Sequence, residues 1–483
     1  MTTAGPIPAF SAFHNVNCRD GFLYSTSEGK LEVCILPADV DVAGPWPSRR
    51  IAMEGTPKAV TWLPESKLFA VLVSARAAYC PAKPEQTGGD AHATNAYAAQ
   101  DSLAAAEGGG VAHEIRLLDP RQGWKVVWRH ALEPSERGLC LRSVALRSEK
   151  DGAVHPYLVC GTASPRGEDY PCRGRALLLE VTRGAAAGQW EGRVIAQKDF
   201  RGTPGGGNVQ CATAIEGRLL LGVGSKAQVF VWHGEDNPSG LEQCGFFDAP
   251  LFITSLAQIK RFVLCGDLQG SVHFLQWQDK AGGQRLMSRL SHDFHPASMD
   301  QVEFLVEGGT LTLLGADRPG NLRFFRFDMA DPTTYKGKKL LHHAAFHVGG
   351  RVQSLVRRRA PPSAGVAGGG VQVGALFAGE GLGLGAVAPV GESTYRRLHA
   401  VEREMVRQVL LPCGLHPVEC HYPKDLGNFI SQPPDSDRVL DGDLLRRFPL
   451  LSRAAQAALA RTVASRPETI LRDLEALAAA FAF

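Results

Sequence analysis

The sequence predicts a mostly β protein, a seven-bladed β-propeller of a type other than WD40 followed by a small C-terminal α-helical domain. A unit of two apolar runs joined by a glycine-containing turn recurs roughly every forty to fifty residues, as between Gly222, Gly266 and Gly315. Glycine and proline, at 53 and 30 of 483 residues, indicate many chain reversals. From Glu392 onward the apolar period changes from two to about 3.6 residues, which is typical of helices.

Seven hairpin-like units follow one another before the helical region. They cover residues 21–37, 68–119, 157–181, 219–232, 261–277, 311–327 and 373–390. Further strand candidates lie between them, at 194–200 with 209–215, 243–247 with 251–256, and 338–346 with 352–356. Four strands per unit is the content of a propeller blade, which buries its faces by stacking on its neighbours. A series of two-sheet sandwiches is the alternative that the repeat leaves open.

The last unit is predicted to lack its outermost strand, because the chain turns helical after Val390. Residues 7–13 would supply that strand if the N-terminus closes the ring, and otherwise it comes from polypeptide not present here. Residues 82–110 and 360–370 are rich in small residues, glycine or proline and are predicted to be surface loops.

Residues 1–390 are therefore assigned to the propeller and residues 391–483 to the helical domain. One helical face in this second domain is lined by Leu398, Val401, Met405 and Val409. Ser465-Arg466-Pro467-Glu468 forms a capping box with proline just inside the helix start. Two more helices are expected at 440–450 and 453–463.

Composition excludes several classes of protein. The formal charge is +3, from 52 Lys and Arg against 49 Asp and Glu, so the chain is not a polybasic nucleic-acid coat. No run of about 18 apolar residues predicts a membrane span, and the N-terminus lacks the pattern of a secretory signal. The eleven cysteines are scattered, several inside apolar runs as at Cys160 and Cys265, which predicts reduced core thiols in a reducing compartment.

Few residues have a pattern that suggests chemistry. Cys413, His416, Cys420 and His421 place four ligand-type side chains within a span too short for a usual zinc site. The glycines 379, 381, 383 and 385 do not fit a dinucleotide-binding loop, and no phosphate-binding loop or nucleophile elbow is present.

Three histidines share one predicted strand. Alternation would put His343 and His347 on one face and His342 on the other, and no nearby cysteine or carboxylate completes a metal site. We therefore expect no catalytic residue, no cofactor and no metal, while the binding residues stay unknown.

Basic clusters occur at Arg49-Arg50, at Lys336-Gly337-Lys338-Lys339 and at Arg357-Arg358-Arg359. Each is suited to phosphate contact or to a weak nuclear-import signal, and a solvated turn is the alternative for each. Aromatic residues do not interleave with these clusters as they do in a base-stacking surface.

Short strings along nearly the whole chain resemble one known family, the large subunit of the cleavage and polyadenylation specificity factor. They are residues 13–18, 21–24, 44–51, 144–149, 172–175, 266–272, 316–322, 346–349, 394–398 and 439–445. Several strings are shared with the large subunit of damaged-DNA-binding protein and with a splicing-factor 3b subunit. The string from His14 to Cys18, Trp46 between prolines, and Tyr395-Arg396-Arg397 favour the polyadenylation family.

The resemblance implies a non-enzymatic, nuclear scaffold in pre-mRNA 3'-end cleavage and polyadenylation, which organises recognition of the polyadenylation signal. It implies a WD-repeat subunit and a CCCH zinc-finger subunit as partners, contact with pre-mRNA directly or through those partners, and no membrane. The chain would be the family's third propeller and helical domain, either as a fragment or with the rest supplied separately. A ubiquitin-ligase adaptor or spliceosomal scaffold on the same fold stays open, as does a zinc-dependent enzyme centred on Cys413–His421.

Overall fold

The structure is a computed structural model. It describes residues 9–15, 21–25, 29–35, 49–77, 110–165, 171–184, 189–201, 206–234, 240–279, 285–359, 372–379, 383–408, 421–424 and 438–481. The chain divides into two compact units, Met1–Glu54 and Gly55–Phe483. The predicted loops at 82–110 and 360–370 lie outside the described residues, apart from Gly110 at the start of a strand.

Met1–Glu54 contains one antiparallel sheet of three strands. The strands are Ala9–Phe13, Gly21–Ser25 and Leu31–Ile35, paired in chain order. The first strand, considered above for closing the ring, pairs with the second along its whole length, from Ala9 opposite Ser25 to Phe13 opposite Gly21. Ring closure itself stays a prediction.

Gly55–Phe483 contains four four-stranded antiparallel sheets, A to D, each in chain order. Sheet A is Thr56–Leu63, Leu68–Ala77, Gly110–Asp119 and Lys125–Ala131; sheet B is Arg137–Arg147, Val154–Ala163, Gly174–Arg183 and Trp190–Phe200. Sheet C is Val209–Ile215, Arg218–Val223, Lys226–Trp232 and Leu241–Asp248; sheet D is Ile253–Ile259, Phe262–Asp267, Ser271–Asp279 and Arg285–His292.

A larger sheet, E, follows. Its first part is Met299–Glu307, Thr310–Asp317, Asn321–Arg326 and Leu341–His347, and its second part is Val352–Arg359, Gln372–Gly379 and Gly383–Val387. Two residue pairs, Val306 with Val373 and Glu307 with Gln372, join the parts. The second part has three strands among the described residues, and a helix begins soon after it at Glu392.

Consecutive sheets pack face to face. The first strand of each sheet contacts the first strand of the next, from sheet A through sheet E. Apolar clusters fill the spaces between them, for example Leu221 and Trp232 with sheet B, and Val229 and Trp277 between sheets C and D. Sheets B, C and D thus have a neighbour on both faces, unlike the sheets of a two-layer sandwich. This explains why central strands such as Lys226–Trp232 are apolar almost throughout.

The C-terminal helices are Glu392–Gln408, Gly442–Leu445, Arg453–Thr462 and Pro467–Phe481, with a 3-10 turn at Phe448–Leu450. Their common core contains the predicted Leu398, Val401 and Met405, whereas Val409 lies outside the described residues. The helix at 467 begins at its proline, as the capping box predicts. No helix in the described ranges has both the length and the apolar character needed to cross a membrane. The boundary at 390/391 falls between the last strand and the first helix, and its role as a domain boundary stays a prediction.

Candidate functional site

Sheet E and the C-terminal helices meet in a polar contact, which we call the helix junction. It is formed by Asp317, Asn321 and His347 on the sheet and by His421, Lys424 and Asp441 on the helical side. The sequence alone identified no binding residues. However, three strings that carry the family resemblance, 316–322, 346–349 and 439–445, all contribute residues to this contact.

Asn321 is at the centre of the helix junction and is fully buried. Its Nδ2 donates to the carbonyl oxygen of Lys424 at 2.7 Å, and its Oδ1 accepts the Lys424 backbone N–H at 2.8 Å. One side chain therefore satisfies both backbone groups of a residue 103 positions later in the sequence. The segment 421–424 is held in register on sheet E by this pair of bonds.

Asp317 fixes the turn that carries Asn321. Its Oδ1 accepts the Asn321 backbone N–H and its Oδ2 accepts Nε of Arg323, both at 2.7 Å. Burial raises the pKa of Asp317 above its ordinary value, although Arg323 and Asn321 act in the opposite direction. Gly320 has φ of +94°, and a Cβ there would lie 2.5 Å from the carbonyl oxygen of Gly350, so the turn requires glycine.

His347 is the buried neutral histidine of the helix junction. Burial, followed by the positive charge of Lys424, lowers its pKa to about 4. Its Nδ1 lies 3.1 Å from Oδ1 of Asn321. A neutral imidazole suits this position because the neighbouring lysine would oppose a second positive charge.

His421 has the opposite character. Burial alone would lower its pKa, but the Asp441 carboxylate and the His347 carbonyl oxygen raise the pKa above the ordinary value of 6.5. Its Nε2 lies 3.3 Å from Oδ2 of Asp441 and its Nδ1 lies 2.7 Å from the His347 carbonyl oxygen. The ring also stacks on Phe346, with centroids 4.3 Å apart. These contacts stabilise the imidazolium form.

Asp441 extends the helix junction into the helical core. Its Oδ1 accepts the backbone N–H groups of Asp443 and Leu444, and so caps the helix Gly442–Leu445. Its own N–H donates to Oε1 of Glu402, in the helix Glu392–Gln408, at 2.7 Å. A single residue thus connects sheet E, through His421, with two helices.

Of the ligand-type string at 413–421, only His421 lies among the described residues, and both of its ring nitrogens have protein partners. Cys413, His416 and Cys420 lie outside the described residues. The expectation that this string holds no zinc stays a prediction.

The three histidines at 342, 343 and 347 do not follow the predicted alternation. The strand pairing passes from Phe324 opposite Ala344 to Phe325 opposite His342, so His343 is the extra residue of a β-bulge. Nδ1 of His343 lies 2.7 Å from Nη1 of Arg438. The prediction of two clean faces is therefore wrong at this point of the strand.

A carboxylate does lie beside His342, contrary to the sequence-based expectation. Oδ1 of Asp293 is 3.2 Å from Nε2 of His342 and 3.8 Å from Nδ1 of His295, and Oδ2 accepts the Ser271 hydroxyl at 2.7 Å. Burial would raise the pKa of Asp293, but His342 and the other donors hold it below the ordinary value. Asp293 is 49 residues from His342, at the end of sheet D, so no local spacing signals this group.

An exposed aromatic pair lies next to this group. We call Phe294, Tyr335, Lys336, Lys338 and Lys339 the aromatic patch. The two aromatic side chains are 48% and 63% exposed, and their rings are nearly parallel with centroids 6.0 Å apart. Nζ of Lys339 lies 6.0 Å above the Phe294 ring. Tyr335 precedes the lysine cluster in the sequence, but the second ring, that of Phe294, comes from the end of the preceding sheet and could not be assigned to the cluster from spacing.

Backbone bonds hold the aromatic patch in place. The His292 N–H donates to the Lys338 carbonyl oxygen at 3.1 Å, and the Leu340 N–H donates to the His292 carbonyl oxygen at 2.9 Å. Tyr335 and Lys336 have positive φ values of +51° and +61°, a conformation that costs energy for residues other than glycine. The exposed rings are thus presented from a fixed turn.

An open cleft of about 700 Å³ lies between sheets D and E. Its lining includes Phe262, Phe274, Leu311, His342 and Arg438. Among the described cysteines, Cys140, Cys160 and Cys265 are buried and free, and burial raises the pKa of each thiol. This agrees with the prediction of reduced core thiols.

The fold and the helix junction define a class of protein, a multi-sheet β protein whose C-terminal helices are fixed by buried polar contacts. The family described as the CPSF A subunit region matches residues 112–450. The chain belongs to this family, and the resemblance seen in the short strings is confirmed.

Curated relatives match almost the whole chain, and two of the following three are named cleavage and polyadenylation specificity factor subunit 1. The probable cleavage and polyadenylation specificity factor subunit 1 of Oryza sativa subsp. japonica is 31% identical over 477 residues, covering 97% of this chain and 32% of the relative. The cleavage and polyadenylation specificity factor subunit 1 of Arabidopsis thaliana is 30% identical over 498 residues, covering 99% of this chain and 33% of the relative. Protein cft1 of Schizosaccharomyces pombe is 24% identical over 489 residues, covering 99% of this chain and 32% of the relative. The chain thus spans about a third of the length of these relatives, and the rice and Arabidopsis relatives are named as subunits of a specificity factor and not as enzymes.

Proposed function

We propose that this chain is a non-catalytic scaffold in the nuclear machinery that cleaves and polyadenylates pre-mRNA. The observation that carries the proposal is family membership over residues 112–450, with relatives of this factor aligned along almost the whole chain. Its partners are other subunits of that machinery, namely a WD-repeat subunit and a CCCH zinc-finger subunit. Its role is to organise recognition of the polyadenylation signal.

The proposed architecture is a seven-bladed propeller with a helical domain. Five consecutive four-stranded sets, from sheet A to the first part of sheet E, support it, together with the three-stranded sets at each end. Such a stack buries apolar strands on both faces, and it leaves loops and strand ends free for partners. We propose residues 1–390 as the propeller and 391–483 as the helical domain.

The helix junction supports the scaffold role. Buried polar contacts are directional, so Asn321 and Asp441 hold the helices in one position relative to sheet E. A surface that includes both sheet E and the helices is then presented to a partner already formed, which lowers the entropy cost of binding.

Purification of the tagged chain from nuclear extract, with mass spectrometry, tests this proposal. Polyadenylation factors are expected to co-purify. The Asn321→Ala variant, which loosens the helices, is expected to recover fewer of them, whereas Val356→Ala on an exposed strand face serves as the matched control. Recovery of cullin-ligase or splicing proteins in place of polyadenylation factors would assign the chain to a sister function.

We also propose direct contact between pre-mRNA and the aromatic patch. Exposed rings offer faces on which unpaired bases stack, and neighbouring lysines attract the phosphates. Phe294 and Tyr335 provide the rings, and Lys336 and Lys338 are exposed beside them. Asp331, which caps the adjacent turn, adds one carboxylate to the segment before these lysines.

Fluorescence anisotropy with a single-stranded oligoribonucleotide tests this contact. The double variant Phe294→Leu/Tyr335→Leu is expected to bind at least about tenfold more weakly, since each base–aromatic stack contributes about 1–3 kcal/mol. Phe246→Leu is the matched control, because Phe246 is exposed and has Lys226 above its ring but lies outside the patch. Equal affinity of the double variant and the wild type would contradict direct contact while leaving the scaffold role intact.

A further inference from the structure

We propose that Asp293, His295 and His342 form a site for one Zn²⁺ ion. The three residues come from the end of sheet D and the last strand of the first part of sheet E. Their ligand atoms all lie within 4.8 Å of one another. The site does not rest on the proposed role in RNA processing, although Phe294 of the aromatic patch lies between two of its ligands in the sequence.

The distances fit tetrahedral coordination. Zinc bonds of about 2.0–2.1 Å in a tetrahedron separate neighbouring ligand atoms by about 3.3 Å. Oδ1 of Asp293 is already 3.2 Å from Nε2 of His342. Its distance to Nδ1 of His295 is 3.8 Å, and the His295 side chain is 60% exposed, so a small rotation of this ring closes the gap.

The buried ligand is already oriented. The Asp293 side chain is fully buried, and the Ser271 hydroxyl holds its Oδ2 at 2.7 Å. Oδ1, the atom nearest both imidazoles, also accepts the His295 backbone N–H at 3.0 Å. The Phe325 ring packs edge-on against His342, with centroids 4.7 Å apart. Such outer contacts fix the direction of metal ligands in known sites.

The donor set selects the class of ion. Two imidazole nitrogens and one carboxylate oxygen are zinc ligands, whereas calcium and magnesium require mainly oxygen. Water supplies the fourth ligand, because His295 lies at the surface. The bound ion would link sheets D and E, and it would fix Phe294, which lies between two ligands in the sequence.

Titration of the purified full-length chain with Co²⁺, a visible substitute for Zn²⁺, tests the site. One equivalent is expected to produce a d–d absorption band, and added Zn²⁺ is expected to remove it. His295→Ala should weaken binding at least about tenfold, since even outer-shell changes cost 10–100-fold. Asp293→Asn, which keeps the shape of the side chain, should do the same.

His155→Ala is the matched control. His155 is an exposed histidine paired with a carboxylate, Asp151 at 2.7 Å, and it lies far from the site in sheet B. This variant should bind Co²⁺ as the wild type does. An unchanged band in His295→Ala, or no saturable band in the wild type, would overturn the proposal. An intense thiolate charge-transfer absorption without the histidine-dependent band would also overturn it, and would place the ion on the cysteines at 413 and 420.

Discussion

Sheets C and D meet mainly through apolar side chains, whereas the contact of sheet E with the C-terminal helices includes a buried polar network. Val229, Leu275 and Trp277 fill the first contact. Asn321, His421 and Asp441 carry the second. Apolar packing is non-directional and tolerates small shifts. A buried polar network fails when one member is removed, because its partners are left without hydrogen bonds. The sheets are thus held together mainly by the area of their apolar contact, whereas the position of the helices depends on a few specific hydrogen bonds.

The largest expected effect comes from a large-to-small change between sheets. Phe304 is fully buried between sheets D and E and contacts Phe274 edge-on, with centroids 6.3 Å apart. Phe304→Ala is expected to lower the free energy of unfolding by about 3–5 kcal/mol. Chemical denaturation measures this, with Val356→Ala as a surface control expected to change it by less than about 0.5 kcal/mol. A loss below about 1 kcal/mol for Phe304→Ala would show that the sheets pack loosely there.

Asn321→Ala is expected to cost about 2–3 kcal/mol, because it leaves both backbone groups of Lys424 without their partner and removes one of the donors to Asp317. The damage should be local. Hydrogen exchange is expected to speed up at residues 421–424 and in the helices, while sheets B to D keep their protection. Faster exchange throughout the sheets would mean that the helix junction also stabilises the sheet stack.

The apolar interface between sheets B and C contains a buried hydrogen bond. Nε1 of Trp232 donates to the hydroxyl of Tyr157 at 3.1 Å, and both residues are buried between sheets B and C. Tyr157→Phe is expected to cost about 1–2 kcal/mol, since the indole N–H loses its acceptor and the packing is kept. Tyr157→Leu removes both the hydroxyl acceptor and the aromatic packing, so it should lower the free energy of unfolding by more. Thermal denaturation of the two variants measures the difference. A loss near zero for Tyr157→Phe would show that the hydrogen bond contributes little, and equal losses for the two variants would show that the aromatic packing adds little to it.

The smallest expected effect is a dependence of the stability of the helix junction on pH. The pKa of His421 is raised in the folded protein, so its stabilisation is complete below about pH 6.5 and is lost as the pH rises through the folded value. The pKa of His347 is lowered to about 4, so its contribution is present above about pH 6.5 and is lost as the pH falls toward 4. Protection of the helices should therefore be greatest near pH 6.5.

His421→Gln separates the two contributions. This variant is expected to lose the alkaline decline in hydrogen-exchange protection and to keep the acid decline that His347 causes. The same measurement on His155→Ala should show both declines. An alkaline decline that persists in His421→Gln would assign it to another group.

The sequence predicted the strands and the helix faces because their signals are local. Arg218–Val223 and Lys226–Trp232 match the predicted unit at 219–232, and Leu398, Val401 and Met405 occupy the predicted core. The spacing of apolar residues within a single strand or helix is enough to predict these features.

The polar sites could not be predicted in this way. Asn321 bonds to the backbone of Lys424, and a backbone partner leaves no trace in residue type. Asp293 meets His342 only because two sheets are adjacent, and a β-bulge at His343 interrupts the alternation assumed for that strand. Each of these contacts depends on tertiary placement, which a single sequence does not encode in its spacing.

Lys424 follows Asn321 by 103 residues, so it is synthesised later, and the contact between the two residues can form only then. Translation at about 5–20 residues per second delivers Lys424 roughly 5–20 s after Asn321. During that interval the buried donors and acceptors around Asn321 and Asp317 face water, and the preceding strands are already available to pair. The nascent chain thus has a period in which this edge is open to chaperones, and the arrival of Lys424 ends it.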